Sequence, residues 1–171
     1  MIIVEDGTGE PGANAYINIS YVSNYLLGEQ LDAWGALSEP EQESAIVRAT
    51  RYVNSAFAWL GTRKTLDQGL LWPREGVELD GFEITGVPKE VKEATAECVA
   101  LVMQDAELFS EEADRQIASE KVDVVAVSYF QQSETSGKTA TKFDVLNKLL
   151  RGLYKENTGG GGVGSAKVLR T

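Results

Sequence analysis

Three stretches of the chain carry apolar residues at helical spacing, and one long stretch between the first two does not. In the first, Ala45, Ile46, Ala49, Tyr52, Val53, Ala56, Phe57 and Leu60 make one face, while Glu41, Arg48, Arg51 and Asn54 fall mostly off it. Ser38-Glu39-Pro40-Glu41 is a helix start, with Ser as N-cap, Glu at N3 to close a capping box and Pro in the first turn. This pattern predicts a helix to about Trp59, ended by Gly61. The second helix opens at Pro88 and runs to about Phe109. Its flank holds Lys89, Glu90, Lys92, Glu93 and Glu97, but Cys98 to Met103 is apolar on every side, which places it at the centre of a bundle. The third runs from Phe143 to Tyr154 with Phe143, Leu146, Leu149, Leu150 and Leu153 on one face. A shorter helix is predicted from Ser20 as N-cap to Leu27, followed by a connector holding Trp34 and Leu37.

The stretch without a helical period, Gly61 to Pro88, has glycines at 61, 69, 76, 81 and 86 and centres on Gln68-Gly69-Leu70-Leu71-Trp72-Pro73-Arg74. A loop of that length inside a compact domain needs an anchor. Trp72 can bury a large indole, Pro73 fixes its own φ, and Arg74 offers a planar fork of donors. Trp72, Pro73 and Arg74 are therefore expected to be structural, with Trp72 between the two long helices and Arg74 bonded to a carbonyl or carboxylate. Ile2 to Val4 is a β-prone run, Glu5 to Ala13 a turn region, Ser110 to Glu120 an acidic connector and Val122 to Tyr129 a β-branched strand. Gln131 to Thr141 reads as a hairpin tip or exposed loop. The expected fold is mainly α: a helical bundle with two long central helices, a small β-strand or hairpin element and an extended C-terminal arm. Residues 1–156 form the domain and 157–171 a Gly-rich arm.

Composition narrows the chemistry. The chain has 171 residues, 43% of them apolar, enough for one domain with a real core. Sixteen basic against 26 acidic residues give a net charge of −10. From Lys148 onward there are five basic residues and only Glu156 acidic, so residues 1–147 carry −14. Such a body has little to offer a phosphate backbone, whose sequence-independent binding rests on Lys and Arg releasing counterions. There is no histidine and one cysteine, Cys98, which removes the usual zinc sets, Ser-His-Asp triads, Cys-His pairs and any intrachain disulfide. Cys98 reads as a small buried apolar residue. The first residues do not resemble a signal peptide, and no run has the apolar length of a membrane span.

The remaining motifs are weak as chemistry. Gly159-Gly160-Gly161-Gly162-Val163-Gly164-Ser165 lacks the Gly-Lys-Ser/Thr ending of a phosphate loop and reads as a flexible linker. Glu111/Glu112 and Asp105/Glu107 read as solvated acidic faces rather than acid–base pairs. Tyr129-Phe130 and the tryptophans could stack bases, but no Lys or Arg cluster surrounds them. The expectation is no enzyme, no cofactor and no metal.

Read in order, Val4-Glu5-Asp6-Gly7-Thr8-Gly9 and Pro11-Gly12-Ala13-Asn14-Ala15-Tyr16 resemble the opening of tailed-bacteriophage head-to-tail adaptor (connector) proteins. So do Trp34, Arg48-Ala49-Thr50 with Tyr52, then Gln68, Leu71-Trp72-Pro73-Arg74 and Gly76, then Val87-Pro88 opening a helix. The likeness covers roughly residues 1–130 and leaves out the tail after Asn157. Members of the family often carry a DnaT-like single-stranded-DNA-binding label. The resemblance implies a structural virion protein of the neck between capsid and tail. It would be a ring, normally of twelve copies, that binds the portal and a tail or stopper protein and lets packaged DNA through without gripping it. The alternative it leaves open is a single-stranded-DNA-binding replication accessory. Val163 to Thr171, with Val168 and Leu169 as apolar anchors and Lys167 and Arg170 as cations, is expected to dock on the portal or a neighbouring copy.

Overall fold

The computed structural model describes residues 1–104 and 144–155. Its elements are α1 (Ile19–Tyr25), α2 (Glu29–Gly35), α3 (Glu39–Ala56), β1 (Thr62–Arg63), β2 (Arg74–Glu75), β3 (Glu78–Leu79), β4 (Phe82–Glu83) and α4 (Lys89–Met103). Residues 144–149 are helical again and are called α5. The fold is mainly helical, with α3 and α4 packed along each other and two small two-stranded antiparallel sheets, β1–β2 and β3–β4.

The start of α3 is the one written in the sequence. Ser38 and Glu41 form a capping box, with the Glu41 carboxylate accepting from both the Ser38 backbone N–H (2.8 Å) and its hydroxyl (2.6 Å). Ala45, Ile46, Ala49, Thr50, Tyr52 and Val53 of α3 are buried. The helix ends at Ala56, earlier than the apolar spacing suggests, because Phe57 turns extended and carries Phe57 to Leu60 out along the core. Gly61 lies beyond that exit, at φ +68°. α4 begins at Lys89 with Pro88 as its N-cap, and Val91, Ala94–Ala96 and Cys98–Leu101 are buried. It touches α1, α2 and α3, the position expected of a helix apolar on several sides.

Other boundaries also differ from the sequence reading, and α4 ends at Met103, short of Phe109. α1 is capped by Asn18, whose side chain accepts from the Tyr21 N–H at 2.8 Å, and not by Ser20. Trp34 does not lie in a connector: it belongs to α2, a seven-residue helix between Gly28 and Ala36. Trp34 is buried and its indole N–H reaches the Ser23 hydroxyl at 3.1 Å, so tertiary packing holds a helix too short to announce itself by period. The last helix stops at residue 149, and residues 150–153 form turns, with Gly152 at φ +85°. Leu146, Leu150 and Leu153 are nonetheless fully buried.

All four described strands lie inside the Gly61–Pro88 stretch, where no strand is expected, while isolated bridges join Val4 to Ala15 and Trp59 to Tyr154. The strand over Val122–Tyr129, the connector Ser110–Glu120 and the loop Gln131–Thr141 lie outside the described residues. So do the carboxylates at 105, 107, 111 and 112, Tyr129-Phe130 and the arm from 157 onward.

Candidate functional site: the Gln68–Arg74 loop

β1 and β2 pair as Thr62↔Glu75 and Arg63↔Arg74, and the Lys64 N–H continues the ladder to the Pro73 carbonyl at 3.3 Å. Residues 65–72 are therefore the tip of a wide hairpin, which folds back onto the core. Gln68 closes it from inside: its amide oxygen accepts from the Thr65 N–H (2.9 Å), and its amide nitrogen donates to the Leu70 (2.7 Å) and Pro73 (3.1 Å) carbonyls. Those bonds satisfy a side chain that is only 5% exposed. Gly69 is packed so closely that a Cβ would strike the carbonyl oxygens of Ala13 and Pro11.

The loop backbone is tied to α3 through two side chains. The Leu71 N–H donates to Asn54 Oδ1 at 2.7 Å, and the Trp72 N–H donates to the Tyr16 phenol at 3.3 Å. Tyr16 in turn donates to Asn54 Oδ1 at 2.6 Å. Burial pushes the Tyr16 phenol well above its ordinary range, which keeps it in the protonated form that this donation needs.

Trp72 is completely buried, and the Trp72–Pro73 peptide is cis. Its ring meets Trp59 edge to face, centroids 5.8 Å apart at 80°. The aromatic row continues through Phe57, 5.4 Å from Trp59, to Tyr154, 4.9 Å from Phe57. The Trp59 indole N–H donates to the Asn54 carbonyl at 3.1 Å, whereas the Trp72 indole N–H has no partner among the described residues. Trp72 is thus anchored against the exit of α3, and residues 153–155 close over the same exit through Leu60 N–H to Leu153 O (3.0 Å) and Lys155 N–H to Ala58 O (2.8 Å).

Arg74 uses its fork on three backbone carbonyls: Nε on Leu60, Nη2 on Gly61 (2.6 Å) and Nη1 on Leu71 (3.2 Å). Partial burial, and then the neighbouring Arg63 cation, lower its pKa, but guanidinium stays charged at any working pH. One cation therefore ties the α3 exit to the far side of the hairpin. Pro73 is buried beside it.

The Val4–Gly9 motif is organised by Glu5, a carboxylate only 2% exposed that the sequence reading did not single out as a site. Its Oε1 accepts from the Gly7 and Gly9 N–H groups (2.9 Å each) and its Oε2 from the Glu10 N–H (2.9 Å). Gly7 and Gly9, at φ +98° and +87°, supply the left-handed turns that bend the chain around that carboxylate. The two motifs also meet: the Gly69 N–H donates to the Glu10 carbonyl (3.1 Å) and the Lys64 ammonium to the Gly7 carbonyl (2.8 Å). Sequence offers one cue to Glu5, an acid two positions before the Gly7-Thr8-Gly9 run. It offers none that Asn54 and Tyr16 would share a node.

Apart from the Trp72 indole N–H, the side-chain donors and acceptors named above are thus spent within the fold. No group of three or more potential metal ligands occurs among the described residues, and none of their helices is long and apolar enough to cross a membrane. No curated protein and no solved structure matches the chain. One family model does, over residues 1–171, the tail after Asn157 included. The chain belongs to the family described as "Putative DnaT-like ssDNA binding protein".

Proposed function

We propose that the chain is a non-catalytic assembly subunit, a head-to-tail adaptor of a tailed bacteriophage. In this reading it forms a ring beneath the portal, extends the DNA channel and joins the portal to tail or stopper proteins in the virion neck. The observation that carries the proposal is the fate of the two most specific motifs. Glu5 with Gly7 and Gly9, and Gln68 and Arg74, bond to backbone within the fold, Trp72 is buried against Trp59, and the two motifs join each other through Gly69 and Lys64. Residues spent that way specify a rigid block to be stacked against other blocks, rather than a reacting centre. The acidic body suits a channel wall that DNA must pass without sticking. Residues 163–171, with Val163, Lys167, Val168, Leu169 and Arg170, would reach the portal or a neighbouring copy.

The family's description favours a second reading, a single-stranded-DNA-binding accessory, since it names DNA and no virion role. Fluorescence anisotropy with a labelled oligonucleotide separates the two. The adaptor reading expects no submicromolar binding at physiological salt. Tight binding that weakens steeply with added salt would replace it with the DNA-binding reading.

A further inference from the structure

We propose that copies of this chain join head to tail, the β3–β4 hairpin of one copy seating in a groove between the N-terminal residues and α3 of the next. This rests on the assembly reading above and names the surfaces it would use. The knob is a short hairpin, Glu78↔Glu83 and Leu79↔Phe82, turned by Asp80-Gly81 with both residues at positive φ (+53° and +83°). Asp-Gly is the residue pair such a turn prefers, so the tip is fixed by its own chemistry. Phe82 stands on it 74% exposed, flanked by the carboxylates of Glu78, Asp80 and Glu83, none of which has an ion-pair partner among the described residues. The fold buries all three of its tryptophans, yet leaves this ring in water.

The groove has the complementary character. It is a shallow depression open to solvent, about 680 Å³ in volume, with Met1, Ile2, Pro40 and Val47 as apolar lining and Arg48 and Arg51 as cations, and it can seat an aromatic ring from one side. Its one acid, Glu43, is taken by the N-terminal ammonium at 2.7 Å. Neither guanidinium has a hydrogen-bond or ion-pair partner among the described residues. The groove thus keeps two free cations where the knob keeps three free carboxylates. Both features sit on every copy and on different surfaces. The contact is therefore heterologous and repeats from copy to copy, the geometry that closes into a ring when the rotation allows. Charge complementarity fixes the register, and the buried ring of Phe82 supplies the apolar anchor.

The test is oxidative cross-linking of the full chain with cysteines placed on both surfaces, Ser44→Cys in the groove and Glu83→Cys beside the knob. The native Cys98 is buried and does not interfere. The double variant is expected to give a ladder of dimers, trimers and higher species. The two single variants should cross-link to each other when mixed, while neither forms a dimer alone. Adding Arg48→Glu and Arg51→Glu should slow cross-linking at least about tenfold, since like charges then face each other, with the circular dichroism spectrum unchanged. Dimers of Glu83→Cys alone, cross-links confined within one chain, or no cross-link between copies would each overturn the proposal. A chain that cross-links as described but does not join portal leaves the interface standing and removes the adaptor reading. A chain that joins portal without this cross-link does the reverse.

Discussion

Replacing Trp72 separates two opposing contributions at the centre of the loop. Trp72→Ala removes a fully buried indole and its edge-to-face contact with Trp59, so it should cost about 3–5 kcal/mol, as large-to-small core changes do. Trp72→Phe removes only part of the ring, a transfer and cavity loss on the order of 1–2 kcal/mol. It also deletes an indole N–H that is buried without an acceptor among the described residues, a group whose burial costs about 1–3 kcal/mol. The two changes nearly cancel, and the Phe variant should lie within about 1 kcal/mol of the parent. At roughly 2–4 °C per kcal/mol for a chain of this size, Ala should lower the melting temperature by about 6–20 °C and Phe by a few degrees at most. Urea titration followed by far-ultraviolet circular dichroism reads both, without depending on tryptophan fluorescence. If Phe costs as much as Ala, the indole N–H has a partner that the reasoning omits. If Ala costs less than about 1 kcal/mol, Trp72 is not the anchor.

Three further outcomes follow from the same wiring. Glu5→Ala strands the N–H groups of Gly7, Gly9 and Glu10 and should cost about 2–4 kcal/mol in the same titration, with Glu5→Gln milder because its one carbonyl oxygen can still serve the two donors on Oε1. Cys98 is buried and its thiol is pushed far up by that burial and by Glu97, so Ellman's reagent should react with it only as the chain unfolds. The Glu41 carboxyl is held below its ordinary value of 4.5, first by the Ser38 hydroxyl and then by the Ser38 N–H. A depressed carboxyl stabilises the fold above its unfolded pKa and loses that contribution as pH falls through the folded value. An NMR titration should place Glu41 below 4.5, and Ser38→Ala should move it partway back.

The helices were legible because their signals are local. Ser38 and Glu41 lie one turn apart, and the apolar face of α3 and the all-round apolar middle of α4 repeat within a few residues. What escaped the sequence depends on distant partners. α2 exists because Trp34 is buried by other elements, and α3 stops at Ala56 because the next residues run to Trp59, where Trp72 and Tyr154 wait. The importance of Trp72 and Arg74 could be read from residue type alone. Their partners could not, since Arg74 binds carbonyls 13 and 14 positions away and Tyr16 reaches Asn54 across 38. Glu5 stands in the opening motif with no local sign of burial, and only the fold of the glycines around it buries it. The β3–β4 hairpin had a cue in Asp80-Gly81, but its flanks are too short to show an alternating pattern.

The central claim is that this chain is a ring-forming assembly subunit. Electron-microscopic two-dimensional class averages of the full chain mixed with its portal test it most directly. The account predicts end views in which density from many copies follows the portal's rotational symmetry around an open channel. Portal particles indistinguishable from portal alone, with the chain left behind as free monomer, would contradict it.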